Sequence, residues 1–182
     1  MKNLLQLAGL ILIFTSCKTP VSDEHFYNSG ISIELAKFRK SQVADIHYRL
    51  SFDIPAKKSD PIPAHLTLEA KISDLSHPLI LDFHEESSHL VSLSVNGQST
   101  EINHRDQHLI IPTKALKKGS NSIEIDFLAG ELSLNRNDDF LYTLLVPDRA
   151  NTLFPCFDQP NLKANYTLTI TPQKTGKSWQ GQ

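Results

Sequence analysis

An alternation of apolar and polar residues with a period of two constrains the fold of this chain more than any other feature. From Asp45 to Ile54 every second residue is apolar, and the residues between them are polar or charged. The apolar residues are Ile46, Tyr48, Leu50, Phe52 and Ile54. Successive side chains of a β-strand point to opposite faces, so this pattern predicts a strand with one buried face. Residues 65–73 alternate in the same way and predict a second such strand.

Short apolar segments separated by turn signals continue along the chain. They are residues 79–83, 90–95, 109–111, 123–127 and 141–146. Asn96 and Gly97 predict a two-residue hairpin loop, because both central residues of a type I′ turn need a positive φ. The uninterrupted apolar run at 141–146 predicts a strand buried on both faces. No segment beyond the N-terminus has a helical period, so we predict an all-β fold, an antiparallel β-sandwich or a curved, saddle-like sheet.

The N-terminus has the features of a secretory signal peptide. Lys2 supplies a positive charge, and residues 4–14 are almost all apolar. This apolar core is shorter than the roughly 20 residues that cross a bilayer as a helix. The segment ends in Phe14-Thr15-Ser16-Cys17, which resembles the lipobox of bacterial lipoproteins, in which cleavage leaves an acylated cysteine as the first residue. A plain secreted protein cleaved near Ser16 is the alternative.

The lipobox resemblance implies an organisation and a location. Residues 1–16 would be the signal peptide, Cys17 the lipidation site, and residues 17–30 a tether between the lipid and the folded domain. Acyl chains hold a protein to a membrane because each buried methylene contributes about 0.8 kcal/mol. The expected partner is therefore membrane lipid, and the expected location is the bacterial cell envelope, on its periplasmic or its outer-surface face.

Cysteine usage and net charge narrow the expectations further. Acylation of Cys17 would leave Cys156 as the other cysteine, so no intrachain disulfide is expected and the core must stabilise the fold. The formal net charge of -2 gives no electrostatic reason to expect a nucleic acid partner.

Two histidine pairs have spacings close to those of metal sites. His84 and His89 nearly form the zinc-protease helix motif, but they are five positions apart instead of four. On a helix this spacing turns the second imidazole about 140° away from the first. His104 and His108 have the i, i+4 spacing, but the glutamate is missing and short strands flank the segment. We predict a solvated turn at the first pair and a polar hairpin tip at the second.

Three other residues carry carboxyl or thiol groups that catalysis can use. Asp82 and Asp126 lie on the polar phase of apolar strands, which predicts carboxylates that face solvent. Cys156 lies between Pro155 and Phe157, which favours a small buried thiol over a nucleophile. The sequence therefore predicts no catalytic residue and no metal ligand in this chain.

A stiff, chemically mixed corner precedes the last alternating strand. It has the order Phe154, Pro155, Cys156, Phe157, Asp158, Gln159, Pro160, followed by Lys163. The two prolines fix φ and remove backbone donors. The carboxylate of Asp158 can accept a hydrogen bond from an amide two residues on, as in an Asx-type turn. These features predict a rigid bend with both phenylalanines buried.

This corner closely resembles the signature near the end of the N-terminal domain in the aminopeptidase N family of zinc metallopeptidases. The segments Phe140–Ala150 and Ile46–Ile54 are also similar to family segments, and the resemblance covers roughly residues 43–171. It implies a saddle-like β domain, which we place at residues 31–172, with residues 173–182 as a truncated tail. In the family this domain packs on a thermolysin-like catalytic domain, here in cis or in trans, and the eight corner residues would lie near that junction.

The departures from the family limit what this chain can do. The family's His-Glu-x-x-His zinc site is absent from this sequence. Its Gly-x-Met-Glu-Asn loop is absent too, since the only methionine is Met1. Val146 occupies the position where many members have a glutamate or glutamine that contacts the substrate N-terminus. Zinc would belong to the complete family enzyme, which removes N-terminal amino acids from peptides, and we expect this chain to be inactive alone. The alternative is a non-enzymatic β-sandwich lipoprotein acting as a binding module, which exposed aromatic residues in a groove would favour.

Overall fold

The computed structural model of this chain describes residues 26–137 and 140–173. It contains one α-helix, α1 (Ile33–Gln42), and eleven β-strands in these described residues. The strands are β1 (Val43–Ile54), β2 (Pro63–Ile72), β3 (Leu79–Asp82), β4 (Leu90–Val95), β5 (Gln98–Ser99), β6 (His104–Arg105), β7 (His108–Ile111), β8 (Gly119–Leu128), β9 (Leu134–Arg136), β10 (Leu141–Thr143) and β11 (Ala164–Pro172). The predicted all-β class is confirmed.

The strands form three sheets. The largest has the order β11-β1-β2-β8-β4-β5, the second β3-β7-β6, and the third is the hairpin β10-β9. Neighbouring strands are antiparallel except for β1 and β11, which are parallel, with Tyr48 opposite Tyr166. The first and last described strands are therefore neighbours at one end of the largest sheet.

The core lies between the largest sheet and the sheet β3-β7-β6. Ile46, Tyr48, Leu50 and Phe52 of β1 are buried as their alternation predicted, whereas Ile54 is half-buried. The second alternating segment is also confirmed, because the apolar residues on one face of β2 are at most 9% exposed. They are Ala64, Leu66, Leu68, Ala70 and Ile72.

The predicted hairpin at Asn96 and Gly97 is confirmed. The two residues have φ angles of 54° and 77°, and the flanking Val95 and Gln98 are paired. An L-amino acid other than asparagine, aspartate or glycine rarely adopts this left-handed region, which explains why these two residues hold the loop between β4 and β5.

Helix α1 was not predicted from the sequence. Ser32 caps it, since its hydroxyl accepts a hydrogen bond from the amide of Leu35 at 3.1 Å. The residues that the helix buries are Leu35, Arg39 and Gln42. Two of these three are polar, so a helical spacing is present without the apolar pattern that would reveal it.

The prediction of a fully buried strand at 141–146 is wrong. Only residues 141–143 are extended, and they pair with β9 alone among the described strands. Leu144 is 58% and Val146 is 83% exposed. The hairpin β9–β10 is a two-stranded layer. Leu134 packs against the core, whereas Tyr142 is 46% exposed.

The N-terminal part of the described chain is also packed. Phe26, within the segment predicted as a tether, is buried and stacks on Phe38 with ring centroids 5.4 Å apart. The packed part of the chain therefore extends at least to Phe26. The predicted signal peptide, Cys17 and most of the tail lie outside the described residues. None of the described helices is long and apolar enough to cross a membrane.

Candidate domain-interface site

The corner at 154–160 is mostly internal to the domain. Five of its residues are buried, namely Phe154, Pro155, Cys156, Phe157 and Gln159. Both phenylalanines are buried, as predicted. Asp158 is half-buried, and Pro160 and the following Lys163 are exposed. Of the eight predicted site residues, these last three leave side-chain surface that a partner can contact.

Hydrogen bonds of backbone and side-chain groups tie the corner to two sheets and to α1. Asp82 and Cys156 form an isolated antiparallel bridge, with N···O distances of 2.7 and 3.0 Å. The amide of Phe157 donates to the hydroxyl of Tyr48 at 3.0 Å. Gln159 Nε2 donates to the carbonyl of Ala36 at 3.1 Å. The corner thus joins β3, β1 and α1, all of which lie far upstream of it in the sequence.

A buried ion pair lies directly behind the corner. Both terminal nitrogens of Arg39 donate to the carboxylate of Asp82, at 2.8 and 2.6 Å, and the amide of Asp158 donates to it at 3.0 Å. His108 Nδ1 lies 3.0 Å from the same carboxylate. The side chains of Arg39 and Asp82 are 0% and 3% exposed, so water contributes almost nothing to their solvation.

This ion pair corrects the prediction that Asp82 faces solvent. All four residues of β3 are buried, because α1 and the corner cover the face that the alternation assigned to water. Burial favours the neutral carboxyl, but the charge of Arg39, the hydrogen bonds from Arg39 and the nearby His108 outweigh it. The pKa of Asp82 therefore lies below its ordinary value. The prediction for Asp126 is confirmed, since its side chain is 55% exposed.

The second histidine pair lies on a hairpin, as predicted, but not entirely in solvent. Asp106 and Gln107 form the turn between β6 and β7, with φ angles of 49° and 68°. His108 is only 1% exposed, and its Nε2 lies 2.9 Å from the carbonyl oxygen of Asn28. The prediction of a polar tip is wrong for this histidine, because the N-terminal segment and Asp82 enclose it.

The first histidine pair follows its prediction only in part, whereas Cys156 follows its own. His84 is exposed, but His89 lies in a short 3-10 helix and is half-buried, with its Nδ1 3.2 Å from the carbonyl oxygen of Leu128. Cys156 is 1% exposed, and burial raises the pKa of its thiol well above the ordinary value, so it is a protonated, buried thiol. The carboxylate of Asp158 accepts from the amide of Asn151 at 3.0 Å, upstream of the position expected for an Asx-type turn. Within the described ranges, no group of three or more His, Cys, Asp or Glu residues can hold a metal ion.

An open apolar groove lies beside the corner. It has a volume of about 570 Å³ and is lined by β1, β11 and the hairpin β9–β10, with Leu153 and the corner residue Phe154 in its wall. Three apolar residues of β11 line it and remain about half exposed, with values of 55% for Tyr166, 59% for Leu168 and 53% for Ile170. The sequence pattern predicted that these three residues share one face of the strand. It did not reveal that this face remains about half exposed among the described residues.

The exposed apolar surface continues onto the hairpin and the loop that follows it. Phe140 is 55%, Tyr142 46%, Leu144 58% and Val146 83% exposed. Large exposed apolar surface that is contiguous marks a site of protein interaction in a soluble domain. The groove lining contains one polar residue that is not aromatic, Thr143, so it offers few hydrogen bonds to a sugar. The arrangement therefore fits a protein surface better than a glycan.

Comparison with known proteins gives a consistent family assignment. Residues 44–178 match the family described as Peptidase M1 N-terminal domain. The chain is similar in structure to the M1 zinc metallopeptidase from Deinococcus radiodurans, with a TM-score of 0.58 and 18% identity over 72% of this chain and 32% of that one. It is similar to aminopeptidase A from Legionella pneumophila, with a TM-score of 0.61 and 23% identity over 71% of this chain and 16% of that one.

A third solved structure extends the likeness over more of this chain. Native leukotriene A4 hydrolase from Saccharomyces cerevisiae has a TM-score of 0.60 and 18% identity over 85% of this chain and 26% of that one. At these identities the structures show a shared fold. The chain spans between 16% and 32% of the length of the three structures, so each of them contains a large part that has no counterpart here.

Proposed function

This chain belongs to the Peptidase M1 N-terminal domain family, and on that premise we propose that it is the non-catalytic N-terminal domain of a membrane-anchored zinc aminopeptidase. Its role is to pack on a thermolysin-like catalytic domain, in cis or in trans, and to close one side of the active-site cleft. The parent reaction is the removal of N-terminal amino acids from peptides. The family match over residues 44–178 is the observation that carries this proposal.

Zinc chemistry is assigned to the catalytic part. In such enzymes the metal polarises the substrate carbonyl and activates water. The described residues of this chain contain no group of ligands that fits a metal ion, so no step of the reaction is assigned to them.

The docking surface that we propose is the exposed apolar face of residues 140–146. Burial of such residues contributes about 25 cal/mol per Å² of apolar surface removed from water. Val146 is the most exposed of the large apolar side chains among the described residues, at 83%. Many members of the family have a residue at the same position that contacts the substrate N-terminus, and this supports an orientation of the face toward the catalytic cleft.

Attachment to the membrane is the second component of the proposal. Cys17 would carry the acyl chains and would hold the domain at the bacterial cell envelope. Metabolic labelling with a palmitate analogue tests this directly. Label should enter the intact chain and should be lost in Cys17→Ser, whereas equal labelling of the two chains would contradict the anchor.

The docking proposal is tested by co-expression with an M1 catalytic region from the same genome, identified by its His-Glu-x-x-His motif. We expect the two chains to co-purify, and we expect Leu144→Asp to weaken their affinity at least ten-fold. Val91→Asp is the matched control, because Val91 is similarly exposed at 63% but lies on β4, remote from the hairpin. Failure to co-purify, or equal effects of both variants, would contradict the proposed surface.

Activity provides an independent measurement. The purified chain with added zinc should not hydrolyse an aminoacyl p-nitroanilide, and the co-purified complex should. Hydrolysis by the chain alone would overturn its assignment as a non-catalytic domain.

A further inference from the structure

Residues 26–30 form a segment, here called the N-terminal strap, that contacts α1 and the sheet β3-β7-β6. Phe26 is buried in a small apolar cluster with side chains of α1 and β3. The ring of Tyr27 lies 4.4 Å from the guanidinium carbon of Arg105 in β6. The carbonyl oxygen of Asn28 lies 2.9 Å from a histidine nitrogen of β7. The strap is therefore held in part by a side chain that can change its charge.

That side chain, His108, is buried between two hydrogen-bond acceptors. It is 1% exposed, and its Nε2 faces the carbonyl oxygen of Asn28, while its Nδ1 lies 3.0 Å from a carboxylate oxygen of Asp82. Nδ1 has no hydrogen-bond partner of good alignment among the described residues, so charge and not hydrogen-bond geometry holds a proton there. Because carbonyl and carboxylate oxygens only accept, both ring nitrogens need a proton. The ring that makes both contacts is an imidazolium.

A neutral ring cannot maintain both contacts. It has one N–H group, and its other nitrogen presents a lone pair. Interactions of a proton with an ionised acceptor are roughly twice as strong as those with a neutral one. The single proton of the neutral ring therefore remains on Nδ1, toward Asp82. The lone pair of Nε2 then faces the carbonyl oxygen of Asn28, so the contact that is lost is the one with the strap.

The charged groups around His108 have opposite effects on its protonation. Asp82, its cross-strand neighbour on β3, favours the charged ring. Arg105, its neighbour on β6, and Arg39, which donates to Asp82, oppose it. Asp158, whose amide also donates to Asp82, is half-buried, and burial raises the pKa of its carboxyl. Histidine changes its charge between about pH 5 and pH 8, and over this range Asp82 stays ionised because its pKa lies below the ordinary value.

The chain has a pivot between the strap and α1. Gly30 has a φ of 84°, in the region that favours glycine, and a Cβ built on it would have no atom within 4 Å. The N-cap of α1, Ser32, comes after this glycine and bonds the amide of Leu35. The strap can therefore leave the domain by rotation at Gly30 while the cap and the helix remain intact.

We propose that His108 is a pH-dependent switch, which holds the N-terminal strap on the domain when its ring is charged and releases the strap as the ring loses a proton at higher pH. Release frees five residues, which lengthen the connection to the preceding part of the chain by up to roughly 17 Å. If Cys17 carries lipid, this length adds to the reach of the domain from the membrane. The switch itself is independent of the anchor and of the proposed aminopeptidase role.

Fluorescence quenching by acrylamide, an uncharged quencher, tests the release. Phe26→Trp in a full-length chain that also carries Trp179→Phe places the only tryptophan in the strap. We expect the quenching constant to be at least three-fold higher at about pH 8 than at about pH 5.5. In the same chain with His108→Gln, whose side chain does not titrate, the constant should be the same at both pH values.

His77→Gln is the matched control. His77 also contacts the strap, with its ring edge against Phe26 and the ring centroids 5.0 Å apart, but it does not contact Asn28 through a printed hydrogen bond of its ring. This variant should keep the rise in quenching with pH. Equal quenching at both pH values in the chain with His108 would overturn the proposal. A rise that persists in His108→Gln would assign the effect to another group, such as Asp158, and would overturn it too.

A second measurement needs no substitution and does not depend on how a tryptophan packs in the strap. Nuclear magnetic resonance of the unsubstituted, nitrogen-15-labelled chain shows which ring nitrogens of His108 carry protons. We expect protons on both at about pH 5.5 and on Nδ1 alone at about pH 8. A neutral ring at the lower pH, a charged ring at the higher pH, or a proton on Nε2 alone at the higher pH would each contradict the switch.

Discussion

Removal of the carboxylate of Asp82 should destabilise this domain strongly, because it isolates a buried charge. Arg39 is 0% exposed and donates two hydrogen bonds to Asp82, at 2.8 and 2.6 Å. In Asp82→Ala the guanidinium would remain away from water without a counter-ion. Breaking one side of a buried ion pair costs about 3–5 kcal/mol. The total free energy of unfolding of a domain is about 5–15 kcal/mol, so the loss would be a large fraction of it.

The assay is urea unfolding followed by circular dichroism in the β-sheet region. Asp126→Ala is the control, because Asp126 also lies in a strand and also contacts a histidine, but its side chain is 55% exposed. An exposed pair contributes about 0–1 kcal/mol. We therefore expect the midpoint to fall several times further in Asp82→Ala than in Asp126→Ala, with little change in the slope of the transition.

A double variant separates the charge from the packing. Arg39→Met combined with Asp82→Leu replaces both charges by apolar groups, a change that is often neutral or stabilising for a buried pair. The double variant should be more stable than Asp82→Ala, although the amide of Asp158 loses its acceptor. Equal losses in Asp82→Ala and Asp126→Ala, or a double variant less stable than Asp82→Ala, would refute the reasoning.

Three further predictions follow from the same contacts. The folded pKa of Asp82 lies below its ordinary value of about 3.9, so its contribution to stability is present above that pH and is lost as the pH falls below it. The free energy of unfolding should therefore depend less on pH in Asp82→Asn than in the unchanged chain when both are titrated with acid. Tyr48→Phe removes the acceptor of the Phe157 amide and should cost about 1–3 kcal/mol in urea unfolding, whereas Tyr166→Phe, at a half-exposed ring, should cost less than about 0.5 kcal/mol. Cys156 should react with a maleimide only as urea unfolds the domain, and rapid labelling in buffer would show that its burial is wrong.

The strands with one buried face were predictable because a single physical rule governs them. In β1 and β2 one face meets the core and the other meets water, so the period of two appears directly in the sequence. The loop at Asn96 and Gly97 was predictable for a local reason as well, since its backbone angles restrict the residue types.

The features that the sequence did not reveal depend on contacts with distant elements. In the alternation of its strand, Asp82 has the position of an exposed residue. It is buried because Arg39 of α1 and the amide of Asp158 in the corner donate hydrogen bonds to its carboxylate. Helix α1 itself was hidden because its buried face uses Arg39 and Gln42, which are polar. In each case a polar residue is buried because a partner elsewhere in the chain satisfies it.

The apolar run at 141–146 is the opposite case, in which apolar residues that the sequence predicted to be buried are exposed. Its composition predicted burial, but composition alone does not say whether a covering layer belongs to the same domain. Leu141 and Leu145 contribute to the groove wall, whereas Leu144 and Val146 point away from the domain. The order of residues in the corner resembles a family signature. In the structure most of these residues are buried and contact other elements of the same domain.

The parallel pairing of β1 with β11 determines when this domain can finish folding. His47 and Thr167, whose side chains are 3.0 Å apart, are 120 positions apart in the sequence. A contact across so long a loop forms late, because the entropy of closing the loop must be spent before the contact contributes. During synthesis β1, β2 and β8 can pair in that order before β11 has been made. Until then the edge of β1 that pairs with β11 has no partner strand. A nascent chain stalled before residue 164 therefore carries a sheet in which one edge of β1 is bare, and this edge is open to chaperones until β11 is synthesised.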